Sequence, residues 1–333
     1  MPSTERLLEP AARNGGELFQ AAIAKVIHQA GPALGAGRAE PLRASLLGEG
    51  ENHRNVLIET DARKLVFRIT LRQPPGSCPP EKEFAGLALL PAGLGPEALY
   101  YDGSCAVLPH PFAVLSYVEG EPATRWSRGH LELHARKLGQ LHARRFPGFG
   151  PLDAPTGRFD PREVREVLAE HRSLLDRDPE LAALARDVEA FVSGRAGPFL
   201  EREEYCLVHG DLYIDNVLFA GGEVRYIDWE WMRAGDKAED LARFYGRGFG
   251  FWPWYAEVSE TDLRHFLATY LESVDDPTLE SRVETLNVYY HFADLLYFRQ
   301  KLLGSAAERS RLPGSRYEEC AGVLRRWLAE ALR

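Results

Sequence analysis

Leu207-Val208-His209-Gly210-Asp211-Leu212-Tyr213-Ile214-Asp215-Asn216-Val217-Leu218-Phe219, followed a few residues later by Tyr226-Ile227-Asp228-Trp229-Glu230, is the stretch whose reading decides the fold. Asp211 and Asn216 stand five positions apart in a turn between apolar runs, and Asp228 lies just beyond the next run. Tyr205-Cys206-Leu207-Val208 is strand-like. Val217-Leu218-Phe219, the Gly221-Gly222 turn and Val224-Arg225-Tyr226-Ile227 predict a hairpin that returns Asp228 beside Asn216. A turn that merely carries polar residues is the plainer alternative, since Asp and Gly are ordinary turn residues. The spacing and the flanking strands favour phosphoryl-transfer chemistry. The transferred group needs little covalent help; it needs a positioned cation and an oriented hydroxyl, which acceptor side chains on a rigid turn supply.

Working outward, the chain has 333 residues, 45% hydrophobic and 27% charged, enough for two lobes with separate cores. A formal net charge of −9 argues against nucleic-acid or anionic-membrane partners. Cys78, Cys105, Cys206 and Cys320 are far apart and form no CxxC pair, as expected of reduced thiols in a cytoplasmic protein. No apolar run approaches the ~20 residues of a membrane span. Residues 1–14 carry no signal-peptide core.

Upstream, residues 17–29 predict a helix ended by Gly31-Pro32. Residues 43–47, 55–60, 64–70, 106–108 and 112–118 predict five strands of an antiparallel sheet, with a helix over 81–90. Glu119-Gly120-Glu121-Pro122 breaks the pattern and sets the expected boundary, giving lobes 1–118 and 119–333. The second half predicts helices at 130–144, 161–175, 180–193, 236–246, 261–274, 279–303 and 317–332, its only strands flanking the opening motif. The expected class is α+β, with an antiparallel-sheet N-lobe and a mainly helical C-lobe.

The opening segment resembles the H-G-D-x-x-x-x-N then I-D-W/F pattern of the aminoglycoside phosphotransferase and choline kinase superfamily. That resemblance implies a two-lobed, protein-kinase-like fold and transfer of the ATP γ-phosphate to a small-molecule hydroxyl, with GTP an open alternative. It implies Asp211 as catalytic base, Asn216 and Asp228 as Mg2+ ligands, and His209 and Asp240 as structural braces. Asp236 and Glu239 in Gly235-Asp236-Lys237-Ala238-Glu239-Asp240-Leu241-Ala242 also suit a capping box.

By the same resemblance, Gly48, Gly50 and Asn52 belong to a nucleotide-covering loop. Arg68 stands where relatives carry the ATP-phosphate cation, and Glu83, rather than Glu81, is its partner. Ser116, Tyr117 and Val118 form the hinge against adenine. Arg68 has a second reading as a solvated cation on an edge strand. For the acceptor, rings and carboxylates beyond Asp228 suggest a cationic hydroxyl substrate touching Glu230, Trp254, Tyr290 and Asp294, with core packing the alternative for the rings. Competing functions are a non-catalytic nucleotide-binding protein of the same fold, or a kinase of a neutral sugar. Absence of D-F-G and A-P-E segments argues against a protein kinase. No sequence signal bears on oligomeric state.

Overall fold

A computed structural model describes residues 23–27, 43–50, 52–60, 63–74, 76–123, 125–244, 258–304 and 314–333. The chain divides into two compact units, Met1–Glu119 and Gly120–Arg333.

In the N-terminal unit, β1 (Arg43–Glu49), β2 (His53–Glu59), β3 (Lys64–Thr70), β4 (Ala98–Asp102) and β5 (Phe112–Ser116) form one antiparallel sheet in the order β1-β2-β3-β5-β4. The two-residue period of a strand puts Leu65, Phe67 and Ile69 on one face, where they join Val56, Ile58, Phe112 and Val114. Ile23, Val26 and Ile27, from helical residues 23–27, complete that core. The same period turns Arg68 to the other face, toward α1 (Pro80–Leu87). This helix opens with Pro at its first position and carries Glu81 and Glu83 in its first turn, both favourable at a helix N-terminus.

The strand expected at 106–108 is not formed. The fourth strand is β4, pairing Tyr100 with Val114 and Tyr101 with Ala113. Leu108 is buried as a loop residue, so its apolar character reports core packing rather than strand pairing. β4 escaped the sequence reading because Gly93, Gly95 and Pro96 precede it and suggest a continuing loop. Its rings nevertheless pack, with Phe84 and Tyr101 centroids 5.8 Å apart.

The C-terminal unit is mainly helical: α2 (Arg128–His142), α3 (Val164–Glu170), α4 (Arg172–Leu175), α5 (Pro179–Gly194), α6 (Gly197–Leu200), α7 (Lys237–Phe244), α8 (Glu260–Leu271), α9 (Leu279–Leu303) and α10 (Gly314–Ala331). Val288, Phe292, Leu295 and Leu296 of α9 pack with Leu181, Ala185 and Val188 of α5 and with Leu324 and Leu328 of α10. The single helix expected over 161–175 is broken into a 3-10 turn, Pro161–Glu163, then α3 and α4. The break falls at His171, whose ring Nδ1 lies 2.9 Å from the Val167 carbonyl, which also accepts the His171 N–H at 3.2 Å.

Strands also extend beyond the expected three. β6 (Glu121–Pro122) joins β9 (Val217–Ala220) and β10 (Glu223–Tyr226), while β7 (Arg145–Phe146) and β11 (Arg233–Gly235) flank β8 (Tyr205–Val208). The added strands are two or three residues long, too short to show a period in sequence. Among the described residues no helix is long and apolar enough to cross a membrane.

Candidate active site

β8 delivers the chain to the motif, and Gly210 makes the turn. Its φ of +80° suits glycine, and a Cβ there would lie 2.3 Å from the Trp231 carbonyl oxygen. Immediately afterwards the loop is braced from α7. Asp240 Oδ2 accepts the His209 N–H at 2.8 Å, and Oδ1 accepts the Gly210 N–H at 2.8 Å. His142 Nε2 lies 3.1 Å from the same carboxylate, and its Nδ1 lies 2.7 Å from the Tyr270 hydroxyl. Burial opposes ionisation of Asp240, but the hydrogen bond and charge of His142 hold its carboxyl below the usual range.

His209 is fixed from both sides. Its Nε2 faces the Ile227 carbonyl at 2.9 Å and must donate; its Nδ1 accepts the Asp211 N–H at 3.3 Å. That pattern sets the neutral Nε2–H tautomer and leaves no ring nitrogen to shuttle a proton. Trp229, fully buried, lies against the ring with centroids 4.4 Å apart.

Asp211 is half-buried. Desolvation pushes its carboxyl up to about 7; Arg243 pulls it down, while Asp228, Glu230 and Asp294 push it further up. Asn216 Nδ2 donates to the Asp211 carbonyl at 2.8 Å, which leaves Asn216 Oδ1 as an acceptor. The β9–β10 hairpin pairs Tyr226 with Val217, and the Ile227 N–H donates to the Asn216 carbonyl at 3.1 Å. Asp228 therefore follows directly on a residue bonded to Asn216. Its φ of +65° is unusual for a residue with a Cβ, though Asp tolerates it better than most. Asp228 and Glu230 offer carboxylate oxygens within 4.8 Å of each other. The donor set of Asn216, Asp228 and Glu230 is all oxygen, which suits a hard divalent cation.

The acceptor-side candidates divide. Asp294 accepts the Tyr213 hydroxyl at 3.1 Å and lies 3.7 Å from Arg243, so its charge is already matched. Tyr290 is buried and its hydroxyl donates to Glu239 at 3.1 Å. Glu230 is buried. Trp254 lies outside the described residues. The capping box expected at α7 is present: the Ala238 N–H donates to Asp236 and the Asp236 N–H to Glu239, at 3.0 and 2.8 Å.

In the N-terminal unit, Arg68 and Glu83 form a buried ion pair with Nε and Oε1 3.2 Å apart. Arg68 sits on β3, flanked by β2 and β5, so it is neither on an edge strand nor solvated. Gly48 lies at a register irregularity of β1, with open space where a Cβ would stand. The Gly50 N–H donates to the His53 carbonyl, and the Asn52 carbonyl accepts from Leu71 and Arg72. In the hinge segment, the Ser116 N–H and Oγ bond Glu97, and the Tyr117 N–H bonds the Lys64 carbonyl. Val118 makes no backbone hydrogen bond among the described residues.

The profile of the phosphotransferase enzyme family matches residues 43–282, which include every strand and loop just described. The chain belongs to that family. Choline kinase LicA from Streptococcus pneumoniae shares the fold at a TM-score of 0.64 and 18% identity, over 92% of this chain and 99% of that one. A choline/ethanolamine kinase family protein from Mesorhizobium loti does so at 0.62 and 18%, over 95% and 98%. A spectinomycin phosphotransferase solved with ADP and spectinomycin matches at 0.58 and 16%, over 87% and 92%. The fold is therefore kinase-like. Acyl-CoA dehydrogenase family member 11 from Gallus gallus is 28% identical over 61% of this chain, and that from Rattus norvegicus 26% over 67%. The chain spans 26% and 30% of the length of these curated relatives.

The sequence reading of this phosphotransferase family member missed Arg243 and Tyr213. Arg243 NH1 donates to the Tyr213 hydroxyl at 2.5 Å, and the guanidinium stacks 4.1 Å from the Tyr290 ring. One signal was available. Arg243 follows Asp240 by three positions on α7, so whichever side of the helix faces the loop carries both.

Proposed function

We propose that this chain is an ATP-dependent O-phosphotransferase acting on a small-molecule hydroxyl. One observation carries the reading. Asp211 and Asn216 share a loop braced by Asp240, and the hairpin backbone that bonds Asn216 leads directly into Asp228. In this reading Asp211 accepts the proton of the acceptor hydroxyl. The hydroxyl oxygen bonds to the γ-phosphorus, the bond from that phosphorus to the β,γ-bridging oxygen breaks, and its electron pair leaves with ADP. Asn216 Oδ1 and Asp228, with Glu230 beside it, are the residues that would hold magnesium. When bound, magnesium neutralises charge on the phosphates. His209 and Asp240 keep the loop in shape and take no proton.

The N-terminal unit supports the same assignment. Arg68 serves the ATP phosphates with Glu83 orienting its guanidinium. Gly48, Gly50 and Asn52 cover the nucleotide. Of the three hinge residues, Val118 is the one whose backbone N–H bonds no other backbone group among the described residues and can meet adenine, since those of Ser116 and Tyr117 are committed. The cationic acceptor suggested by the aromatic and acidic helices is weakened by Asp294, which Arg243 already neutralises. A second reading, a hydroxyl on an acyl-CoA, is favoured by the names of the curated relatives.

An ADP-release screen with wild-type protein and Asp211→Asn tests the proposal. Its panel comprises aminoglycosides, amino alcohols, sugars, hydroxy acids and hydroxyacyl-CoA. At least one acceptor should support turnover in wild type and none in the variant. Magnesium-ATP binding without turnover on the whole panel would instead favour a non-catalytic nucleotide-binding protein.

A further inference from the structure

Arg243 is a cation beside the catalytic carboxylate that the proposed chemistry does not use. Its charge acts on Asp211, and its guanidinium is held by three groups, one from the loop and two from α9. The Tyr213 hydroxyl accepts from NH1 at 2.5 Å, Asp294 lies 3.7 Å away, and the Tyr290 ring lies beneath. Tyr290 is itself pinned through Glu239, and the Asn287 side chain donates to the Ala242 carbonyl next door, so α7 cannot easily shift.

A guanidinium has five N–H donors. Among the described residues Arg243 makes a single hydrogen bond. Its buried Nε has no partner there. Asp294 is near enough to balance charge but makes no hydrogen bond to Arg243; both its oxygens accept from Tyr213 instead. A buried donor left without a partner carries an uncompensated desolvation cost, larger when it is charged. A rigidly held fork with open donors is therefore a recognition group awaiting an acceptor. Its planar geometry matches a carboxylate or phosphate better than a hydroxyl.

Resting on the phosphotransferase reading, we infer that Arg243 is a specificity-determining residue that takes an oxyanion, carboxylate or phosphate ester, carried by the acceptor near its reacting hydroxyl. Tyr213, Asp294 and Tyr290 hold it for that purpose. Asp294 prevents the free enzyme from burying an unmatched charge.

The test uses acceptors that differ mainly in charge: glycerol, glycerate, glycerol 3-phosphate and serinol (the amine-bearing analogue). They are assayed with wild type, Arg243→Gln and Arg243→Lys, alongside the wider panel above. Wild type should prefer one anionic acceptor to glycerol, and which one distinguishes carboxylate from phosphate. Arg243→Gln should lower kcat/KM for that acceptor about 10- to 100-fold more than for glycerol, mostly through the acceptor KM. Arg243→Lys should recover part of the loss. Wild-type preference for serinol, or an equal fall on all acceptors in Arg243→Gln, would overturn the assignment while leaving phosphotransfer standing. A wild type that phosphorylates nothing on either panel removes the phosphotransferase reading itself, and this inference with it.

Discussion

The Asp211 loop and the Arg243 cluster share one compact unit, yet they treat hydrogen bonds in opposite ways. In the loop, polar groups are committed. Asp240 uses both oxygens, His209 both ring nitrogens and Asn216 its amide nitrogen. Around Arg243, one guanidinium bond and an unpartnered Nε leave most donors open among the described residues. The contrast separates two kinds of buried polar group. Those that are fully satisfied set a shape, and those that are rigid but unsatisfied can receive a ligand. It also agrees with the proposed roles, because the brace does not engage the Asp211 carboxylate or the Asn216 Oδ1.

The comparison breaks most sharply at Asp211. Asp211→Asn keeps the side-chain shape, so the fold and ATP binding should persist while kcat falls about 10²–10⁴-fold. ADP release measured beside a thermal-unfolding curve checks both. A variant that still turns over would show that the loop is scaffold throughout. Asp240→Asn tests the brace. The amide keeps one oxygen, so one of the two backbone N–H groups loses its acceptor and buried His142 loses its charged partner; stability should fall by about 3–5 kcal/mol, with turnover lost in parallel. Undiminished stability in denaturant would mean that the loop holds its shape without α7.

Why one half of this contrast was readable in the chain and the other was not follows from distance along it. Asp211, Asn216 and Asp228 lie within 18 positions, joined by a hairpin whose Gly221-Gly222 turn has φ of +58° and +78°. Turn chemistry and apolar runs are local signals, so this geometry is written in the sequence. The Arg68–Glu83 pair was expected from the family resemblance, although burial of Arg68 on a central strand was not. The Arg243 cluster draws on Tyr213, Arg243 and Asp294, separated by 30 and 51 positions in sequence. No period or motif links them; packing of α7 and α9 behind the loop does. β4 was missed for a related reason, since its partner β5 supplies the pairing that its own flanking glycines and proline obscure.

A pH titration sharpens the scaffold side. His134 is fully buried near Asp240, with Nδ1 2.9 Å from the Tyr226 hydroxyl. Desolvation lowers its pKa to about 3 from an ordinary 6.5. Below pH 6.5 the unfolded chain therefore binds a proton that the folded protein refuses. Stability is fully present above that pH and falls by about 1.4 kcal/mol per unit as pH drops toward 3. Asp240, held low in the fold, adds to the loss in the same direction at more acid pH. Urea midpoints at pH 7.0, 6.0 and 5.0 should decline, and His134→Phe should flatten the decline even if it lowers the midpoint. An unaltered slope in that variant would place the acid sensitivity elsewhere.

The smallest expected effect is also the most discriminating for the ligand side. Asp294→Asn keeps an acceptor for the Tyr213 hydroxyl and removes only the charge opposite Arg243. Both charged side chains are partly exposed, at 19% and 20%, and they make no direct hydrogen bond. The change in stability should stay within about 1 kcal/mol, as for other solvent-screened pairs. The freed guanidinium should then hold an anionic acceptor more tightly, lowering its KM severalfold while leaving the KM for ATP in place. A loss of several kcal/mol in denaturant would mean that the pair braces the fold as Asp240 braces the loop, and the contrast between the two regions would collapse. A lowered acceptor KM with an intact fold would show that the open donors of Arg243 are a binding surface restrained by Asp294.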